Sequence, residues 1–143
     1  MNNDYNLWRT QCEFSARMFG LSCELGYDSR SFIKLIAFTD LGDYYYSQNC
    51  IDAWLSPGYV LEDFQNSFDI EHGDVLPVYF MEWLGYLYRY WTYNYPDTIK
   101  DVYNSISIDD LLCSYDGLHV MDWSMIVETI KEGEQVCASR NIE

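Results

Sequence analysis

Apolar residues recur along most of this chain at intervals of three and four positions, which is the spacing of an amphipathic helix. In the first segment, residues 5–25, Trp8, Cys12 and Phe19 lie near one stripe of such a helix. The same spacing returns in later segments, whose ranges are 32–38, 57–68, 76–95, 98–103, 108–112 and 123–130. The pattern therefore predicts an all-α protein.

Helix boundaries carry their own signals. Ser56 followed by Pro57 is typical of a helix start, and Pro96 ends the long helix because it lacks a backbone N–H. The other predicted boundaries are Gly26 as a stop, Asp28 or Ser29 as a cap, Asp97 as an opening residue, Ser107 and Asp122 as caps, and Gly133 as a stop.

The segment 39–50 is less regular. It holds three consecutive tyrosines, Tyr44, Tyr45 and Tyr46, which favour a strand locally. No neighbouring segment supplies a partner strand, so we predict a short helix or an irregular segment there.

The segment from Tyr79 to Tyr95 is aromatic at more than half of its positions. A helix that is apolar almost all round is buried on most sides. We therefore predict a single compact bundle of about five to seven helices around this central aromatic helix. We expect residues 1–143 to form one helical domain whose final ten or so residues are frayed.

Charge changes the picture from a generic bundle to a strongly acidic one. The chain has 23 Asp and Glu against 8 Lys and Arg, a formal net charge of −15. No Lys or Arg occurs between Lys34 and Arg89. This balance argues against direct nucleic-acid binding and against an anionic membrane surface. It allows either simple solubility or a docking face for a basic partner.

The cellular location and the redox state of the cysteines are predicted from targeting and cysteine motifs that the sequence lacks. The first residues show no basic segment followed by an apolar run, so we expect no signal peptide, and no apolar run is long enough to span a membrane. The five cysteines form no CxxC pair. We expect reduced, buried thiols in a cytoplasmic protein, with a structural disulfide as the alternative.

Catalytic motifs are absent from the sequence. It holds no P-loop, GxGxxG, GxSxG or HExxH, and neither His72 nor His119 has a ligand at metal spacing. Glu132-Gly133-Glu134 matches the ExE motif of a class of transferases. It lies at the end of a predicted helix and not in a loop before a strand, so we interpret the match as chance. We expect no enzyme activity, no metal and no cofactor.

The candidate binding residues combine tyrosines, carboxylates and one arginine. Tyrosine and arginine are enriched at protein interfaces, and 14 tyrosines exceed what so small a core needs. The predicted partner-binding residues are Tyr44, Tyr45, Tyr46, Glu62, Asp63, Asp69, Glu71, Asp74, Tyr88 and Arg89. For Arg89 the alternative is a stacked, carboxylate-paired arginine inside the fold.

One long motif resembles a known family. Trp83-Leu84-Gly85-Tyr86-Leu87-Tyr88-Arg89-Tyr90-Trp91 is similar to a helix in small bacterial proteins encoded beside ADP-ribosyltransferase-like toxins. In that family a Tyr-x3-His-x2-Asp element precedes a last helix, as Tyr115, His119 and Asp122 do here. The resemblance covers residues 5–132 and implies an antitoxin or immunity role.

These observations favour an antitoxin whose acidic, tyrosine-rich surface occludes the basic nucleotide-binding cleft of a cognate toxin. The runner-up is a DNA mimic that inhibits restriction or CRISPR machinery, which would array its carboxylates at phosphate-like intervals. A small-molecule binder would need a polar pocket with convergent groups. A homo-oligomeric scaffold stays open as well.

Overall fold

A computed structural model describes residues 3–50, 54 and 56–133, and the described residues form eight helices and no strand. The helices are α1 Asn3–Glu24, α2 Ser29–Phe38, α3 Asp40–Tyr45, α4 Pro57–Ser67, α5 Val78–Asn94, α6 Ile99–Ser105, α7 Ile108–Leu118 and α8 Trp123–Lys131. The all-α prediction is confirmed. The predicted number of helices was too low, because the tyrosine segment folds into α3.

The local boundary signals place most helix ends correctly. The side chains of Asp28, Ser56 and Ser107 accept backbone N–H groups at the starts of α2, α4 and α7. The prediction for Asp97 was wrong, because Thr98 caps α6 through a reciprocal capping box with Asp101. Asp122 precedes α8 without a side-chain cap bond.

Two helix stops depend on backbone conformation. Gly26 and Gly133 both have φ of 75°, a left-handed conformation that favours glycine. Each therefore ends a helix as its sequence position predicts.

Helices α1 and α5 cross closely at Gly85. A Cβ atom there would lie 2.7 Å from the carbonyl oxygen of Ser15 and 3.0 Å from Cα of Ala16. The Ser15 hydroxyl donates to the Gly85 carbonyl oxygen at 2.7 Å. Only a residue without a side chain allows the two backbones to approach this closely.

A tight corner joins α2 to α3. The Thr39 hydroxyl accepts the Gly42 N–H at the start of α3, and it donates to the carbonyl oxygen of Leu35. A Cβ on Gly42 would lie 1.8 Å from the carbonyl oxygen of Ile36, so the corner requires glycine. This corner sets the direction in which α3 and its tyrosines leave α2.

The loop before α5 is fixed to the turn before α2. Backbone bonds join Asp28 to Glu71 and Ser29 to Asp74, and the Asp28 carboxylate also accepts the Asp74 N–H at 3.0 Å. This acceptor role lowers the pKa of Asp28, mainly through its bond from the Ser31 N–H. The loop 69–76 is thereby held beside α2.

The cysteines differ from one another. Cys12, Cys23 and Cys50 are free thiols, and Cys12 and Cys50 are buried, as expected. Cys113 is disulfide-bonded, so the expectation of reduced thiols throughout was wrong at that position. No spacing motif marks Cys113 in the sequence. Cys137 and the predicted frayed end lie outside the described residues, as does Glu134 of the ExE triplet.

Among the described helices α1 to α8, no helix is both long enough and apolar enough to span a bilayer.

Candidate functional site

Four of the ten predicted partner-binding residues lie inside the fold. Tyr45, Tyr46, Tyr88 and Arg89 are each at most 2% exposed. A partner cannot reach these side chains on this surface, so the prediction was wrong for their exposure. Sequence reasoning missed this for the three tyrosines, because residues distant in the chain cover them, whereas for Arg89 the stated alternative already placed the side chain inside the fold.

Arg89 is a buried structural arginine. Its side chain is 0% exposed, and it donates to Gln11 Oε1 at 2.8 Å and to the carbonyl oxygens of Ser47 and Cys50 at 3.0 and 3.1 Å. Its guanidinium also lies 5.2 Å from the centre of the Tyr93 ring. The alternative stated above holds for burial and stacking. The predicted pairing of Arg89 with a carboxylate is wrong, because every acceptor within the described contacts is neutral.

Burial of this charge has an electrostatic cost. Desolvation by burial lowers the pKa of the Arg89 guanidinium, and the acceptors that it contacts among the described residues carry no charge. Burial likewise raises the pKa of the Cys12 thiol well above its usual range. Neither group is positioned as an accessible acid or nucleophile.

Tyr46 and Tyr88 are core residues with polar ends. The hydroxyl of Tyr46 lies 2.6 Å from the Ser15 hydroxyl, while the buried Tyr88 hydroxyl has no hydrogen-bond partner within the described structure. Burial raises the pKa of both phenols far above the usual value. Both side chains lie in the interior, where Tyr46 contacts Ser15 and Tyr88 contacts Phe19 of α1.

The other six predicted residues are accessible. We use the name acidic strip for the surface formed by α3, α4 and the loop after α4. Its members are Tyr44, Tyr59, Glu62, Asp63, Asp69, Glu71 and Asp74. All are exposed except Asp63, which is half-buried. Tyr59, which sequence reasoning missed, is 52% exposed.

Side-chain contacts connect the parts of this strip. The buried Tyr45 donates from its hydroxyl to the half-buried Asp63 at 2.6 Å and ties α3 to α4. At the other end of α4, Gln65 donates to the Tyr27 hydroxyl at 2.8 Å. Tyr27 in turn packs against His72, with ring centres 5.2 Å apart, and this contact anchors the loop that carries Glu71.

The strip has no cation of its own. Because Arg89 is buried and no other Lys or Arg occurs from 35 to 99, this whole stretch places no Lys or Arg side chain on the surface. The ion pairs found between described side chains join Arg30 to Asp109 and Lys131 to Asp97, and neither includes a carboxylate of the strip. The carboxylates of the strip therefore form a negative patch that salt screens.

The side chains that could ligate a metal ion do not cluster within the described residues. In the described part of the chain, no group of three His, Cys, Asp or Glu side chains could hold a metal ion. His119 stacks on Tyr115 with ring centres 4.4 Å apart, and its Nδ1 lies 2.8 Å from the Tyr115 carbonyl oxygen. This is a local arrangement at the end of α7.

Comparison with known proteins finds no family model, no curated protein and no solved structure that matches this chain. The geometry above therefore carries the functional argument by itself.

Proposed function

We propose that this chain is an antitoxin-like protein that binds and neutralises a cognate toxin through the acidic strip. The observation that carries the proposal is the absence of an exposed Lys or Arg from 35 to 99, the stretch of chain that supplies every carboxylate of the strip. The complementary partner is a protein with a basic surface. An ADP-ribosyltransferase-like toxin fits, because its nucleotide-binding cleft must attract phosphates.

Inhibition would work by occlusion. Complementary charge speeds the encounter, and tyrosines that lose their water on contact supply lasting affinity. Tyr44 and Tyr59 suit that role because each is more than half exposed beside carboxylates. A compact bundle arranged around α5 would hold the strip rigid, which limits the ordering cost of binding.

The test is a pull-down of the tagged chain from cells that co-express the product of the flanking gene. The strip variant carries Glu62→Gln, Asp63→Asn, Glu71→Gln and Asp74→Asn. The matched control removes four exposed carboxylates elsewhere and carries Glu13→Gln, Glu24→Gln, Asp116→Asn and Glu132→Gln. We expect the wild type and the control to retain one stoichiometric basic protein at low salt, and the strip variant to lose it.

The second arm of the test measures inhibition. The captured protein is assayed for transferase activity with NAD, with and without added wild-type chain. Inhibition by the wild type and not by the strip variant supports the antitoxin proposal. Equal loss of binding in both variants would contradict a localised docking face, and recovery of restriction or CRISPR machinery would favour a DNA mimic instead.

A further inference from the structure

A cavity of about 320 Å³ opens next to the acidic strip, between the end of α2, the first turn of α3 and the start of α6. Phe38 and Lys100 line it, together with Asp40 and Asp43. Asp43 of the cavity and Tyr44 of the strip are adjacent on α3. Its volume is at the lower end of ligand pockets and suits one inserted side chain.

The wall of this cavity is an oriented aromatic ring. Phe38 is 48% exposed, which is unusual for a phenylalanine, and the edge contact with Tyr103 at 5.1 Å holds its ring in place. The ammonium nitrogen of Lys100 lies 5.7 Å from the ring centre. The ring is therefore already a site where this chain places a cation.

Two carboxylates line the same cavity. Asp40 and Asp43 are both exposed, and their i, i+3 spacing puts them on one side of α3. Neither carboxylate forms an ion pair with Lys100 or with any other described side chain. The cavity thus combines an aromatic face with two unpaired acceptors and the ammonium group of Lys100.

We propose that this cavity receives an arginine side chain of the protein partner. The inference rests on the proposed function and adds an anchoring point to it. A guanidinium both stacks on an aromatic ring and forms forked bonds with carboxylates, which matches Phe38 together with Asp40 and Asp43. Lys100 must leave the ring as the arginine enters, so its cation competes with the partner.

The competition gives a test that a structural role would not imitate. The probe is N-acetyl-L-arginine amide, titrated into the ¹⁵N-labelled chain and followed by NMR, with N-acetyl-L-leucine amide as the uncharged control. We expect saturable shifts at Phe38 and Asp43 with the arginine probe and none with the leucine probe. Saturation in the millimolar range suits so small a ligand.

Three variants decide the outcome. Lys100→Met removes the competing cation and is expected to tighten arginine binding at least about twofold, whereas Phe38→Leu is expected to weaken it about two- to fivefold. Asp40→Asn with Asp43→Asn is expected to weaken it further. Weaker binding in Lys100→Met, or no saturable binding to the wild type, would overturn the inference.

Failure here is distinguishable from failure of the proposed function. If the arginine probe does not bind while the partner still depends on the strip carboxylates, the anchor is wrong and the antitoxin proposal stands. If the probe binds but no basic partner is captured, the proposed function fails and a cation pocket is left. Loss of partner affinity in Phe38→Leu, with a gain in Lys100→Met, supports both.

Discussion

Arg89 connects three parts of the chain that are far apart in sequence. Its donors reach Gln11 on α1 and the carbonyl oxygens of Ser47 and Cys50 after α3. Those carbonyl oxygens follow the exposed Tyr44, so the buried guanidinium also supports one end of the acidic strip. A buried polar atom that loses its partner costs far more than the net value of its hydrogen bond.

Arg89→Met should therefore destabilise the fold. The methionine keeps most of the apolar stem but removes the guanidinium bonds to Gln11 Oε1 and to the carbonyl oxygens of Ser47 and Cys50. We expect the free energy of unfolding in urea to fall by about 2 kcal/mol or more, since relief of the buried charge offsets only part of the loss. Arg17→Met, at an exposed position on α1, is the control and should change it by less than about 0.5 kcal/mol. Unchanged stability in Arg89→Met would disprove this role.

Asp97 makes stability depend on acid. Hydrogen bonds from Lys131 and from the Trp91 indole at 2.8 Å lower the pKa of this carboxyl below its ordinary value of 3.8. Because the folded-state pKa is the lower one, the contribution is complete above pH 3.8 and is lost as the pH falls through the folded-state value.

Asp97→Asn should accordingly lower the unfolding free energy at neutral pH by about 0.5–1.5 kcal/mol, and the difference from wild type should shrink below pH 3.8. Asp116→Asn removes an equal charge at an exposed position and serves as the control. Urea unfolding across an acid series measures both. A deficit that stays constant down to the lowest pH would contradict this account.

At the scale of elements, the crossing of α1 and α5 depends on one missing side chain. Gly85 lies in the middle of α5, where helix propensity alone disfavours glycine. The close backbone of Ser15 and Ala16 explains why it is tolerated there. Close packing of the two helices therefore outweighs local propensity at this position.

Gly85→Ala and Gly117→Ala should have opposite effects. The added Cβ at 85 meets backbone atoms at 2.7 and 3.0 Å, so we expect α5 to shift and stability to fall by about 1–3 kcal/mol. Gly117 lies in α7 with nothing within 4 Å of an added Cβ, so alanine should stabilise by up to about 1 kcal/mol. Thermal unfolding followed by circular dichroism compares them. Stabilisation by both substitutions would show that propensity decides at both positions.

At the scale of the whole molecule, the charge is large and unevenly compensated. The formal net charge of −15 is carried by a surface on which the stretch from 35 to 99 shows no Lys or Arg. Self-repulsion of this kind disfavours the compact state and is screened by salt.

Salt should therefore stabilise the free protein. Raising NaCl from about 10 to about 150 mM is expected to increase Tm by about 3 °C or more, because the Debye length shortens over that range. The four-residue strip variant described above should start with a higher Tm and gain less from salt. Scanning calorimetry tests both proteins. An equal gain in the two would place the repulsion outside the strip.

Predictions from sequence succeeded where the interactions are local. The caps at Asp28, Ser56 and Ser107 depend on groups within three residues, so residue type and position were enough. The prediction failed at Asp97 because Thr98, one position later, forms the better capping box. The helices and the excess of acidic residues could likewise be predicted, since hydrophobic periodicity and charge are properties of the sequence itself.

Only the tertiary structure decided which of the candidate residues lie at the surface. Tyr44, Tyr45 and Tyr46 are adjacent in sequence, yet only Tyr44 lies at the surface. Burial depends on contacts that join distant segments, as Arg89 joins α1 to the turn after α3, and no local pattern encodes them. The sequence by itself determined the helices and the charge, while packing selected the surface on which that charge can act.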